Sequence, residues 1–130
     1  MLASTDSDRF PTECPCGSAT DFQSCCGQYL AGRNAPTPEA LMRSRFTAYV
    51  VGDESYVRRT WHPDTCPEDL SPPPGLKWES LTVEHVTLFP PTVTFSAAYR
   101  QDGQPGVMQE RSLFTKIAGN WCYVEPLPLA

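Results

Sequence analysis

An α+β protein with a metal-binding segment near its start is what this sequence predicts, on three observations. A helical run over Thr37–Val51 is followed by a second, shorter one. From Lys77 onward apolar residues recur with period two. Four cysteines, Cys14, Cys16, Cys25 and Cys26, crowd into 13 residues. Helices first and short-turned strands afterwards indicate helices packed on an antiparallel sheet.

Composition sets the limits. A chain of 130 residues suits one domain with a small appendage. A hydrophobic content of 40% is that of a folded chain rather than a disordered one. The 14 prolines cluster at Pro36 and Pro38, Pro72 to Pro74, Pro90 and Pro91, and Pro126 and Pro128, so they mark joints between elements. A net charge of -5 argues against nucleic acid. Four thiolates around one divalent ion would carry it to about -7. The grouped Arg43 with Arg45, and Arg58 with Arg59, read as solvated helix faces.

Residues 1–13 read as a polar, flexible leader. They carry Asp6, Asp8 and Arg9 without an apolar run, which is no secretory signal. No segment approaches the apolar length of a membrane span. The expected location is the cytoplasm, where thiols stay reduced. Six cysteines in such a chain point to metal or redox chemistry before disulfides.

Each element has a local cause. Gln28–Ala35 is a connector. Thr37 serves as N-cap of the first helix, Pro38 fits its first turn, and Gly52 stops it. Asp53 caps a second helix of about nine residues that Pro63 ends. Residues 64–75 are a proline-dense loop. Lys77–Phe89 alternates, with Val83, His85 and Phe89 on one face and Trp78, Val86 and Leu88 on the other. Val93, Phe95, Ala97 and Tyr99 alternate in a second strand. Gln101–Gly106 is a turn, Val107–Ile117 a third strand, Ala118-Gly119-Asn120 a short hairpin connection, and Trp121–Glu125 a fourth strand.

The cysteine segment reads Cys14-Pro-Cys16-Gly17-Ser18, then Phe22, then Cys25-Cys26-Gly27. Zinc takes four soft ligands in a tetrahedron, and thiolates at about 2.3 Å serve well. Gly17 frees the backbone after the first pair, Ser18 caps a short helix leading to Cys25, and Phe22 covers the site. One structural zinc ion is the expectation. Such an ion supplies folding energy to a segment too polar to fold alone. Redox-active thiols are the other reading, although no C-x-x-C spacing occurs. The cysteines are too tightly spaced to surround an iron–sulfur cluster easily.

The pattern CPCGSxxxFxxCCG resembles the SEC-C motif, a small zinc module. The text after it strengthens the match. Pro36-Thr-Pro38-Glu39-Ala40-Leu41-Met42-Arg43-Ser44-Arg45-Phe46-Thr-Ala48-Tyr49, then Thr60-Trp61-His62-Pro63, then Glu110-Arg111-Ser112-x-Phe114, resembles the bacterial YchJ family. The resemblance covers nearly all of Cys14–Glu125. It implies a zinc module over residues 14–30 and, over residues 36–126, a nuclear-transport-factor-2-like (cystatin-like) cone: helices packed into a curved antiparallel sheet around a pocket. It brings no established activity.

Arg45, Trp61, His62, Glu110 and Ser112 are the candidate pocket residues. Arg45 lies in a mostly apolar helix, and Glu110 is its natural buried partner, tying helix to sheet. Glu110, Ser112 and Phe114 share a strand face. His62 reads first as a helix C-terminal cap and second as a general base. Trp78, Trp121 and Tyr123 read as core or pocket wall. Cys122 reads as a packed thiol and Cys66 as an exposed one.

The favoured function is a zinc-containing binding or adaptor protein. Its zinc module would meet a protein partner, and its cone would bind a small ligand or form a homodimer. The alternative is a small-molecule enzyme, with acid–base chemistry by His62 or Glu110. Neither nucleic acid nor membrane is an expected partner.

Overall fold

The computed structural model describes residues 13–129, and all of the expected leader except Glu13 lies outside them. Glu13 pairs with Asp21 in a bridge that closes the cysteine segment at its base. A 3-10 turn, Phe22–Ser24, is capped by the Asp21 carboxylate through the Gln23 N–H. Asp21, not Ser18, is therefore the cap here. Helix α1, Cys26–Leu30, follows at once and occupies part of the stretch expected to be a connector.

Helix α2 spans Pro38–Val51. Thr37 Oγ1 accepts the Ala40 N–H at 3.0 Å, satisfying one donor at the exposed helix start. Gly52 ends it at φ 82°, in the left-handed conformation that costs glycine least. Asp53 caps α3, Glu54–Arg59. This second helix is shorter than expected and stops before Pro63. It ends through the Thr60 turn because the backbone beyond finds other partners: His62 N–H donates to Tyr123 O at 2.7 Å, and Tyr123 N–H to Thr60 O at 2.8 Å. Residues 60–62 thus run parallel beside the last strand.

The sheet is an antiparallel meander in the order β1 (Leu76–Leu88), β2 (Pro91–Gln101), β3 (Gln104–Ile117), β4 (Asn120–Leu127). The β2–β3 turn is only Asp102-Gly103, both at positive φ, which is the two-residue hairpin geometry. It is narrower than the expected Gln101–Gly106. Pro105 fits inside β3 because β4 pairs only with Arg111–Ile117, leaving that stretch an edge.

The register of β1 slips at Glu79 and again at Glu84. Each extra residue reverses the side-chain parity beyond it. The expected face division of β1 is corrected accordingly: Trp78, Leu81 and Val83 pack inward together, while His85, Val86, Leu88 and Phe89 are exposed. A third slip, at Leu113/Phe114, lies between β3 and β4.

Helix α2 lies across β1, β2 and β4 and fills the concave side. Leu41, Phe46 and Ala48 meet Leu81, Val93, Phe95 and Phe114 there. Full burial of a side chain such as Leu41 or Phe114 contributes about 1.5–3 kcal/mol. Cys14, Cys16 and Cys26 belong to the same buried cluster, so the cysteine segment is built into the core. No helix among the described residues is long and apolar enough to cross a membrane.

Candidate metal centre and ligand cavity

Two loops bring the cysteines together. Cys14 and Cys16 flank a turn that Gly17 completes at φ 84°. A Cβ at Gly17 would stand 2.9 Å from Leu81 O, so glycine also permits the turn to lie against β1. Cys25 ends the 3-10 turn and Cys26 opens α1. The four sulfurs lie within 4.8 Å of one another. Sulfurs at about 2.3 Å from a tetrahedral ion are about 3.8 Å apart, and those of Cys16 and Cys25 stand at 3.6 Å. Cys14, Cys16 and Cys26 are buried and Cys25 is half-buried. The donor set is soft, closed and dry on three sides, which fits a structural metal ion with no position left for substrate.

Neighbours orient and charge the site. Ser18 Oγ meets Cys25 Sγ at 3.2 Å. From α2, Thr47 Oγ1 meets Cys14 Sγ at 3.7 Å, and Arg43 Nη1 donates to Cys16 O at 2.7 Å. Arg43 also pairs with Glu39 at 3.0 Å. Sulfur hydrogen bonding with Cys26 draws the Cys16 thiol down to about 4. The same bond pushes Cys26 up, and burial pushes Cys25 up. At Cys25 and Cys26 burial therefore favours the neutral thiol, and a cation sharing the space would offset it.

The opposite face of α2 lines a cavity of about 330 Å³. Met42, Arg45, Phe46 and Tyr49 follow helical spacing on that face, whereas Arg43 and Thr47 point to the sulfurs. Trp78, Phe95 and Phe114 supply the sheet wall, and Leu70 to Pro73 supply a rim from the loop. Arg58 holds that loop by donating to Pro67 O and Glu68 O.

The structure places Arg45, Trp61, Glu110 and Ser112 together on this cavity. His62 is not among its walls. Trp61 lines the cavity, whereas His62 Nδ1 accepts the Asp64 N–H at 3.0 Å in the loop. Nor is His62 a helix cap, since α3 ends at Arg59.

The expected Arg45–Glu110 ion pair is replaced by other contacts. Arg45 Nη1 donates to Val57 O at 2.9 Å and Thr60 Oγ1 at 2.8 Å. Its guanidinium carbon lies 4.9 Å from the Trp61 ring centre and 4.7 Å from that of Tyr123. Glu110 Oε2 accepts the Ser112 hydroxyl at 2.7 Å and the Tyr123 hydroxyl at 2.8 Å. Aromatic faces and a backbone carbonyl, rather than a carboxylate, hold the buried cation. Burial draws Arg45 below the ordinary guanidinium value and pushes Tyr123 above the ordinary phenol value. The reading of Arg45 as part of a solvated face is overturned, since it is 6% exposed.

Sequence reasoning missed Arg43 and Thr47 beside the sulfurs. Their spacing of four along α2 was the available signal, but nothing in it names the sulfurs as its target. It also missed Leu70 and the prolines at the cavity rim, which carry no pattern of their own. Cys66 and Cys122 are both free thiols, Cys122 buried and Cys66 half-buried.

Comparison with known proteins places this geometry. The family description "YchJ, middle NTF2-like domain" matches residues 37–126. A UPF0225 protein of Deinococcus radiodurans is 46% identical over 114 residues, covering 86% of each chain. A UPF0225 protein of Streptomyces coelicolor is 44% identical over 121 residues, covering 86% of this chain and 92% of that one. The solution structure of a SEC-C motif containing protein from Rhodopseudomonas palustris superposes with a TM-score of 0.80 at 33% identity, over 91% of this chain and 99% of that one. A SEC-C motif containing protein from Psychrobacter arcticus, at TM-score 0.68 and 23% identity, over 91% of this chain and 84% of that one, shares the fold. On the strength of the matched domain and these relatives, the chain belongs to the YchJ family.

Proposed function

We propose that this chain is a small-ligand binding protein of the cytoplasm whose shape is held by one structural zinc ion on Cys14, Cys16, Cys25 and Cys26. The observation that carries the proposal is the open, mostly apolar cavity of about 330 Å³ with its polar groups gathered around Tyr123. Pockets that take small molecules combine such apolar walls with a few placed polar groups. Zinc is supported by the all-sulfur donor set and the sulfur spacing. Its part is structural: it fixes the segment that packs behind α2, the helix whose other face forms the cavity wall. Binding is favoured over acid–base catalysis because the one imidazole suggested for that work, His62, faces the loop.

A neutral apolar fluorophore, N-phenyl-1-naphthylamine, tests the cavity. It should brighten saturably with the native chain and not with Ala97→Phe, which places a ring into the space that the buried Ala97 borders. Equal brightening by both folded proteins would rule out the cavity as the binding site. Elemental analysis of the reduced chain should find one zinc per molecule.

A further inference from the structure

The cavity's polar end has hydrogen-bonding capacity that the protein leaves unused. Glu110 accepts both of its hydroxyl partners on one oxygen, Oε2. Its Oε1 has no partner among the described residues. Arg45 donates through Nη1 alone, and its Nε and Nη2 meet no acceptor among the described residues, although the residue is 6% exposed. Trp61 Nε1 is the one side-chain nitrogen or oxygen among the described residues that is both sealed from solvent and unpaired. The free groups of Arg45 and Glu110 therefore keep access, and the space both residues border is the cavity.

Tyr123 sets the two groups on one wall, with its ring against the guanidinium and its hydroxyl on the carboxylate. They remain too far apart for an ion pair. Among the described residues, Arg45 and Glu110 are also the only formally charged ones lining the cavity, and their charges cancel.

We infer that the cavity takes an uncharged ligand with an apolar ring body and a head that both accepts and donates hydrogen bonds, of the carboxamide or lactam class. The carbonyl accepts from Arg45 and the amide N–H donates to Glu110. A carboxylate head would face Glu110 and an ammonium head would face Arg45, each a like charge in a weakly screening site. A hydrocarbon head would leave both groups unpaired. This inference rests on the cavity being a ligand site, as proposed above.

Four probes of one shape separate the outcomes: 2-naphthamide, 2-naphthoate, 2-naphthylmethylammonium and 2-methylnaphthalene, titrated into zinc-loaded, nitrogen-15-labelled chain. The indole N–H signals of Trp61 and Trp78 report the cavity, and that of Trp121, which does not line it, is the internal control. The amide should shift the first two signals saturably and bind at least about tenfold more tightly than each analogue, the worth of a well-made hydrogen bond. In Glu110→Gln, which leaves the wall with the Arg45 charge alone, the naphthoate should gain about tenfold on the amide. Equal binding of the hydrocarbon or a charged probe to the native chain, or an unchanged ranking in Glu110→Gln, overturns the assignment of the head group and leaves the cavity reading intact. No shift at Trp61 and Trp78 with any probe overturns both.

Discussion

The guanidinium carbon of Arg45 lies 4.7 Å from the centre of the Tyr123 ring. That ring also makes an edge contact with Trp61 at 5.0 Å, and its hydroxyl donates to Glu110 at 2.8 Å. One side chain of β4 thus supports a buried cation from α2 and a carboxylate from β3. Tyr123→Phe keeps the ring and removes the hydroxyl. A hydrogen bond to a charged group contributes about 1.5–3 kcal/mol, so urea denaturation should show a loss of about that size with an unchanged slope. Tyr123→Leu removes the aromatic face as well and should lose more.

Cys26 is 1% exposed and has no room to be replaced by an outside ligand. Cys26→Ser should abolish stoichiometric zinc and lower stability by at least about 3 kcal/mol, a part of the 10–16 kcal/mol that zinc contributes to zinc-finger peptides. Cys66→Ser, outside the cluster, should keep the metal. Elemental analysis and thermal melting with and without a chelator read both results.

Gly17 and Gly119 both have positive φ, at 84° and 85°. A Cβ at Gly119 meets nothing within 4 Å, whereas one at Gly17 meets Leu81 O at 2.9 Å. Gly119→Ala should cost about 1–2 kcal/mol, the left-handed penalty for a residue with a Cβ. Gly17→Ala should cost more and should also speed the loss of metal to a chelator, because the turn carrying Cys14 and Cys16 must lift from β1.

Burial holds the Tyr56 and Tyr123 phenols above their ordinary value of 10.0. The folded chain therefore binds these protons more tightly than the unfolded chain does. Their stabilising contribution is complete below pH 10 and declines as the pH rises from there toward the folded-state values. Urea midpoints measured between pH 8 and pH 11 should fall above about pH 10. Tyr56→Phe, with its ring retained and the Ser44 contact removed, should flatten that decline.

Arg43 reaches the sulfur site through the carbonyl of Cys16 at 2.7 Å. Arg43→Met keeps the stem and removes the positive charge beside a cluster of thiolates. Zinc affinity, measured by competition with a chelating dye, should weaken by about 10- to 100-fold, the usual effect of losing an outer support of a metal site. An unchanged affinity would show that Thr47 and Ser18 are sufficient support.

Much of the fold was legible because local chemistry decided it. The caps at Thr37 and Asp53 and the stop at Gly52 sit where side-chain oxygens and a left-handed glycine are needed. The errors share one cause. Nothing local forbids the helix after Asp53 from running to Pro63, yet pairing of Thr60 and His62 with Tyr123 ends it at Arg59. A strict period of two sets Trp78 and Val83 on opposite faces, and an inserted residue at Glu79 brings them onto the same one.

The sequence by itself determined the cysteine cluster, the order of helices and strands, and the inward alternation of β2, since each depends on residues close in the chain and on period alone. Only the tertiary structure decided that Arg45 rests on Trp61 and Tyr123 instead of pairing with Glu110, that His62 turns from the cavity, and that Arg43 and Thr47 face the sulfurs while their neighbours face the ligand space. These outcomes depend on strand register and on which side of a helix meets which wall, and both are settled by packing between segments far apart in the chain.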